Sequence, residues 1–350
     1  MTSPDLKTAA EALEGLPLAN GWRVLSRVPR ATDRSGGAFS VGYLAIQEES
    51  QKIGFLKALD YSEALDQEDP AQALADLTAR YTAERDLLEQ CGRRNLNRVV
   101  RALATGTVRV SGMQPSAVSY LIFELADGDA RDLRTNLDVT DFLPVLRVAH
   151  DAAVAMAQLH GIGVTHQDVK PSNVLVWSVQ TRPSGKLGDL GCAHLEGRPA
   201  PQDELTVPGD CSYAAPEQLY RVSGVRQAAD IYMLGNLLAF LLVGVSHSGL
   251  FHNLLDRTLH WRRWSGTFEE VLPALVDTHG MVLRRLEPAL HADIGDEALR
   301  LLDERCHPDP GSRGERIARR RGQNPYSLER YVTRLNLLYR RACIAARVSP

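Results

Sequence analysis

The sequence predicts an α+β protein, with strands gathered in the first part of the chain and helices filling the rest. Two patterns carry this. From Trp22 to Phe123 short apolar runs alternate with turn formers, as in Ile53 to Leu59 and Tyr120 to Phe123. From Asp141 onward the period lengthens, and Leu143, Leu146, Ala149, Ala153, Met156 and Leu159 form one helical stripe. A hairpin interrupts the helices, with Val174 to Trp177 running into the turn formers Pro183, Ser184 and Gly185.

That hairpin organises the stretch from Leu159 to Asp189, because folding back brings Asp189 toward Asn173 and Asp168. A carboxylate at Asp168, an ammonium at Lys170 and an amide at Asn173 can align a hydroxyl, neutralise a phosphate and ligate a hard cation. Asp189 adds a second oxygen ligand, and Mg²⁺ favours one or two carboxylates together with nucleotide phosphates.

His166-Gln167-Asp168-Val169-Lys170-Pro171-Ser172-Asn173 resembles the catalytic loop of eukaryotic-like Ser/Thr protein kinases, and Asp189-Leu190-Gly191 resembles their metal-binding triplet. Further motifs follow in the family's order from about Trp22 to Arg313. The resemblance implies a two-lobed protein kinase-like fold, a small β-rich N-lobe and a larger α-helical C-lobe. The expected boundaries are an N-terminal helical extension over 1–20, opened by Ser3 and Pro4 and stopped at Gly15, an N-lobe over 21–126 and a C-lobe over 127–345. The kinase domain is thus about 21–345.

In the N-lobe, Ser35 to Ala45 resembles the glycine-rich loop that lies over ATP; Gly37 and Phe39 fit, whereas Ser35 and Ser40 replace glycines. Lys57 resembles the phosphate-anchoring lysine. It alternates with apolar neighbours, so its ammonium is drawn inward and needs an anion. Glu84 is the chosen partner, since it shares a helix face with Leu87 and Leu88, while Asp86 and Glu89 compete. By resemblance Phe55 lies against the adenine and Phe123 at the gatekeeper position, where the two rings are expected to narrow the purine slot. The backbone carbonyl of Glu124 and the amide of Ala126 meet the adenine edge, by resemblance.

In the C-lobe the resemblance makes Asp168 the base or hydroxyl orienter and Lys170 the group that holds the transferred phosphoryl. Asn173 and Asp189 hold Mg²⁺. His166 reads as a satisfied core histidine. Gln167 replaces the usual arginine that receives an activation-segment phosphate, so the chain is expected to be active without phosphorylation of Asp189 to Glu217, including Thr206 and Ser212. Asp210 replaces a usual threonine. Ala215-Pro216-Glu217 is intact, which favours a protein substrate, and Arg313 is expected to pair with Glu217. Asp230 is expected to hydrogen-bond the catalytic-loop backbone.

Composition limits the alternatives. Forty basic against 43 acidic side chains give a net charge of -3, which argues against a chain-wide nucleic-acid or membrane surface. Cys91, Cys192, Cys211, Cys306 and Cys343 lack a CxxC pair, so reduced thiols in the cytoplasm are expected. Met1 to Asn20 lacks a signal-peptide pattern, and Ile231 to Val245 reads as a buried helix too short for a bilayer. Trp261-Arg262-Arg263-Trp264 either packs with its arginines outward or binds a partner; Arg316 to Arg321 reads as a solvated helix face, and Ser327 to Val348 as an amphipathic helix. The expected function is transfer of the ATP γ-phosphoryl group to Ser/Thr hydroxyls of protein. The alternatives are a pseudokinase-type nucleotide-binding scaffold and a small-molecule kinase.

Overall fold

The structure is a computed structural model that describes residues 8–29, 40–138, 141–179, 182–198, 207–222 and 226–346. The chain divides into two compact units, 1–95 with 100–125, and 96–99 with 126–350. The β-rich beginning and helical remainder expected from the sequence are both present.

The first unit is built on an antiparallel sheet of β1 (Trp22–Arg27), β2 (Ser40–Gln47), β3 (Lys52–Leu59), β4 (Ala102–Arg109) and β5 (Ala117–Glu124), in the order β1-β2-β3-β5-β4. The period of two sorts its side chains. Val41, Tyr43, Ala45, Leu56, Ala58, Tyr120 and Ile122 form a core with Trp22, Val24 and Leu13. The alternate positions place Gly42, Phe55, Lys57 and Phe123 on the other face.

Residues 8–21 seal the core side, and over them the expected N-terminal helix is corrected, its expected start at Ser3 and Pro4 lying outside the described residues. The described part holds short 3-10 turns at Ala9–Glu11 and Ala19–Gly21. Leu13 is fully buried, and the Tyr43 hydroxyl donates to Ala10 O at 2.6 Å. Burial against the sheet decides the conformation over helix propensity.

Between β3 and β4 lie α1 (Ser62–Leu65) and α2 (Pro70–Arg93). Asp69 caps α2, accepting from Gln72 N at 3.0 Å, and Pro70 occupies its first turn. Leu77, Glu84, Leu88 and Cys91 fall on its buried side.

The second unit opens with β6 (Gly128–Asp129), α3 (Ala130–Thr135), α4 (Leu143–His160) and β7 (Val164–Thr165). Then come β8 (Val174–Val179), β9 (Arg182–Leu187) and β10 (His194–Leu195). The helices α5 (Pro216–Leu219), α6 (Arg226–Val243), α7 (His247–Leu254), α8 (Phe268–Leu286), α9 (Gly295–Arg305), α10 (Arg316–Arg320) and α11 (Glu329–Ala345) complete it. Nearly every residue of α6 from Ala228 to Leu242 is buried, so this helix is the axis on which α4, α7 and α9 pack. Among the described residues no single helix is long and apolar enough to cross a membrane. In α11, Tyr331, Leu335, Leu338 and Ala342 are buried, as their spacing predicts.

The hairpin differs from its expected form. Pro183, Ser184 and Gly185 are not the turn but part of β9, where they face Ser178, Trp177 and Val176. β9 is an edge strand, which tolerates proline, and at Gly185 a Cβ would meet Val148 Cγ1 at 3.3 Å. All five cysteines are free thiols.

Candidate active site

The loop between β7 and β8 carries the polar cluster of the second unit. Asp230 on α6 anchors it: one carboxylate accepts from the backbone amides of His166 at 2.9 Å and Gln167 at 2.8 Å, and from His160 Nε2 at 2.8 Å. His166 is satisfied within the core. Its Nε2 donates to Gly188 O at 3.0 Å and its Nδ1 accepts from Asp168 N at 3.2 Å, which fixes the tautomer. Gln167 has φ 65°, a left-handed conformation that the surrounding bonds must impose.

Asp168 is the hub. Its Oδ2 accepts from Lys170 Nζ at 3.0 Å and Asn173 Nδ2 at 3.0 Å, and its Oδ1 accepts from Asp210 N at 2.9 Å. Burial pushes its pKa above the ordinary carboxylate value against the charge of Lys170, while the nearby charge of Asp189 adds to the rise. Asn173 Nδ2 also donates to Asp168 O at 2.8 Å. Both amide protons are therefore turned toward Asp168, and the oxygen is the atom Asn173 can offer a cation. Gly188 N donates to Asn173 O at 2.8 Å, which seats Asp189 beside the loop, exposed and with φ 58°. Two hard oxygen donors from the protein fit Mg²⁺.

The segment before α5 closes over this cluster. Gly209 has φ 73°, and a Cβ there would lie 2.5 Å from Asp168 Oδ1, so only glycine permits the approach. Asp210, in the place of the usual threonine, donates its backbone amide to Asp168. Its Oδ1 accepts from Ser212 N at 2.9 Å and its Oδ2 lies 4.0 Å from Lys170 Nζ. Sequence reading missed these two main-chain roles, for which the positive-φ glycine was the available signal. Gln167 Nε2 donates to Arg226 O at 2.9 Å and its Oε1 accepts from Gln218 Nε2 at 3.2 Å. Thr206 lies outside the described residues.

Glu217 on α5 and Arg313 form a buried bidentate pair, Nη1 to Oε1 at 2.5 Å and Nη2 to Oε2 at 2.8 Å. Arg313 also donates to His307 O, Ala228 O and Pro308 O. Every polar atom of the guanidinium edge is thus engaged.

In the first unit, Lys57 Nζ lies 3.0 Å from Glu84 Oε2 and 3.1 Å from Oε1. The competitors are occupied elsewhere, Asp86 by Arg85 and Glu89 by Arg93. Phe55 stands opposite Phe123 in the β3–β5 ladder, and a Cβ on Gly42 would lie 2.9 Å from Phe55 Cζ. Glu124 ends β5, where its amide donates to Arg101 O at 3.2 Å, and Ala126 begins the second unit. Gly37 lies outside the described residues.

The sequence pattern of the protein kinase domain matches residues 35–320. The chain belongs to the protein kinase family. It is 37% identical over 142 residues to the serine/threonine-protein kinase PkaB of Streptomyces coelicolor, covering 38% of this chain and 33% of that protein. PkaA of the same organism is 32% identical over 174 residues, 49% of this chain and 30% of its own. The serine/threonine-protein kinase DCLK1 of Rattus norvegicus is 33% identical over 127 residues, 36% of this chain and 28% of its own. The matches span about a third of the length of these curated relatives or less.

Proposed function

We propose that the chain transfers the γ-phosphoryl group of ATP to Ser/Thr hydroxyls of a protein acceptor. The observation that carries this reading is the joining of Asp168, Lys170 and Asn173 through one buried carboxylate. ATP bound with Mg²⁺ would supply the phosphoryl group, and the metal would offset phosphate charge. Asp168 orients the acceptor hydroxyl and takes its proton as the new O–P bond forms and the bond to ADP breaks. Lys170 meets the charge that develops on the phosphoryl oxygens. Asn173 and Asp189 would hold the metal through oxygen, and Lys57, oriented by Glu84, would hold the ATP phosphates. Glu124 and Ala126 would complete the nucleotide contacts through backbone.

The same reading makes turnover independent of phosphorylation between Asp189 and Glu217. Gln167 is neutral and its amide is bonded to Arg226 O, Asp230 and Gln218, so it offers no cation to a phosphate. The free thiols and the near-neutral charge balance support a cytoplasmic setting. The protein acceptor, rather than a metabolite, is favoured by the Glu217–Arg313 pair that fastens Ala215-Pro216-Glu217.

Labelled ATP, a mixture of candidate proteins and a phosphatase-treated preparation test these statements together. Label should enter protein Ser/Thr, and Asp168→Asn should reduce it by about 10² to 10⁴-fold. Nucleotide binding without transfer would instead make the chain a scaffold, and label on a metabolite would make it a small-molecule kinase. Loss of turnover on phosphatase treatment, reproduced by Ser212→Ala, would refute phosphorylation-independence.

A further inference from the structure

Behind the Glu217–Arg313 pair lies a buried row of polar side chains that transfer chemistry leaves unused. Asn236 Nδ2 meets Ser248 Oγ at 2.7 Å, Ser248 Oγ meets Tyr232 Oη at 3.1 Å, and Tyr232 Oη meets His247 Nδ1 at 3.3 Å. His247 Nε2 then meets His279 Nδ1 at 2.9 Å, and His279 Nε2 meets Asp303 Oδ1 at 3.3 Å. The row crosses α6, α7, α8 and α9, and His247 and Ser248 are fully buried.

Its polarity follows from the two ends. The bond from His279, opposed by burial and reinforced by the charge of Arg316, holds the pKa of Asp303 below the ordinary carboxylate value, so this end only accepts. His279 therefore donates from Nε2 and accepts at Nδ1. His247 must donate from Nε2, which leaves its Nδ1 to accept the Tyr232 proton. Tyr232 in turn accepts from Ser248, and Ser248 accepts from the Asn236 amide. Every proton then has one place, and His247 is neutral. A proton added to His247 would put N–H against the Tyr232 O–H and force the remaining hydroxyls to reverse, with Asn236 Nδ2 still donating into Ser248.

The groups facing His247 all oppose that proton. Burial first, then His279 on α8, His252 on its own helix and Arg313 hold its pKa well below the usual histidine value. His307 lies edge-on to His279 at 5.7 Å, Cys306 faces Tyr232, and Arg316 pairs with Asp303. Glu217 is the nearest anion on the Arg313 side, and it is already held by Arg313. The Arg313 guanidinium lies 5.1 Å from the Tyr232 ring centroid. The row therefore ends against the residue that fixes the start of α5.

We propose that Asn236, Ser248, Tyr232, His247, His279 and Asp303 form a proton-ordered strut that positions Arg313 and Glu217, so that use of a protein acceptor requires His247 to be neutral. This rests on the kinase reading above. Because the folded state holds His247 neutral, the unfolded or strut-broken state binds the extra proton. The strut is intact above the unfolded pKa of 6.5 and weakens as pH falls below it, by about tenfold in population per pH unit.

The test is the pH dependence of acceptor KM, ATP KM and Tm for the full chain and for His247→Gln, with His279→Gln as a second substitution. Glutamine keeps a donor and an acceptor but does not titrate. Between pH 7.5 and 5.5 the wild type should show a rising acceptor KM and a falling Tm, with ATP KM little changed. His247→Gln should show a smaller change in acceptor KM and Tm across the same interval, whereas His279→Gln, which keeps His247 but exchanges the ring that joins it to Asp303, should raise the acceptor KM already at pH 7.5. The limb due to Asp168 is common to all three proteins and cancels in the comparison. Superimposable wild-type and variant profiles would overturn the strut. If no protein turns over at pH 7.5, the kinase reading has failed; the Tm profiles then decide, a difference supporting the strut and coincidence overturning it. Should one variant not fold, the other is read by its own criterion.

Discussion

Two ion pairs in this chain stand in opposite relations to water. The Lys57 side chain is 27% exposed against 5% for Glu84, whereas Arg313 is 0% exposed against 1% for Glu217. Arg313 is further tied to backbone carbonyls, so its fork is saturated. A charge that must meet a ligand keeps one side open; a charge that must only hold a segment in place is sealed. The comparison separates a group poised to bind from one that fastens, although both read in the sequence simply as a cation with a distant carboxylate.

Breaking the sealed pair should produce the largest effect. Arg313→Met leaves Glu217 buried without its cation and releases three carbonyls, at a cost of about 3 to 5 kcal/mol in denaturant unfolding. Adding Glu217→Gln should return part of that loss, because the stranded charge disappears. A double variant no more stable than the single one would show that Glu217 is not the buried burden the geometry implies.

Breaking the open pair should affect activity more than stability. Lys57→Met is expected to lower kcat/KM by about 10² to 10³-fold. Its cost in stability should be smaller than that of Arg313→Met, since Lys57 is partly exposed and carries no set of backbone carbonyls such as Arg313 holds. Equal losses of stability in the two variants would erase the distinction drawn between the pairs.

How far these pairs were legible depends on what defined them. Asp168, Lys170 and Asn173 are contiguous in one loop, so their meeting follows from local geometry. Glu84 was chosen over Asp86 and Glu89 on helix-face grounds, and the structure adds the reason: only Glu84 is buried, at 4%. The hairpin turn was misplaced because Pro183 and Gly185 have a second use, at a sheet edge and against α4. Over residues 8–21 short turns stand in place of the expected helix because burial against Tyr43 and Trp22 is tertiary and leaves no period in so short a segment. The strut of His247 and His279 had no motif at all. Its members come from four helices, and isolated histidines and hydroxyls carry no spacing that foretells their alignment.

Titration offers a smaller and sharper perturbation. Asp168 is raised by burial, so its folded state binds a proton more readily than the unfolded chain. The sign is therefore opposite to that of His247: as pH falls, protonation of Asp168 relieves a buried charge and favours the folded state, while it removes the group that accepts the hydroxyl proton. The acid limb of kcat should thus lie above the ordinary carboxylate pKa of 3.8, measured with acceptor and ATP saturating. A limb at or below that value would mean that the buried carboxylate does not take the proton.

The smallest effect expected is also the cleanest separation of folding from function. Asp69 caps α2 at its exposed beginning, while Glu84 sits far along the same helix, on its buried side. Asp69→Ala removes the acceptor for Gln72 N and should cost about 1 kcal/mol by denaturant unfolding. The Lys57–Glu84 pair is held by burial of Leu87 and Leu88 around it rather than by the first turn, so kcat/KM should remain within about twofold once corrected for folded fraction. A loss of activity much larger than the loss of folded protein would mean that fraying travels the length of α2, and that the open pair depends on a support as remote as the one that holds Arg313.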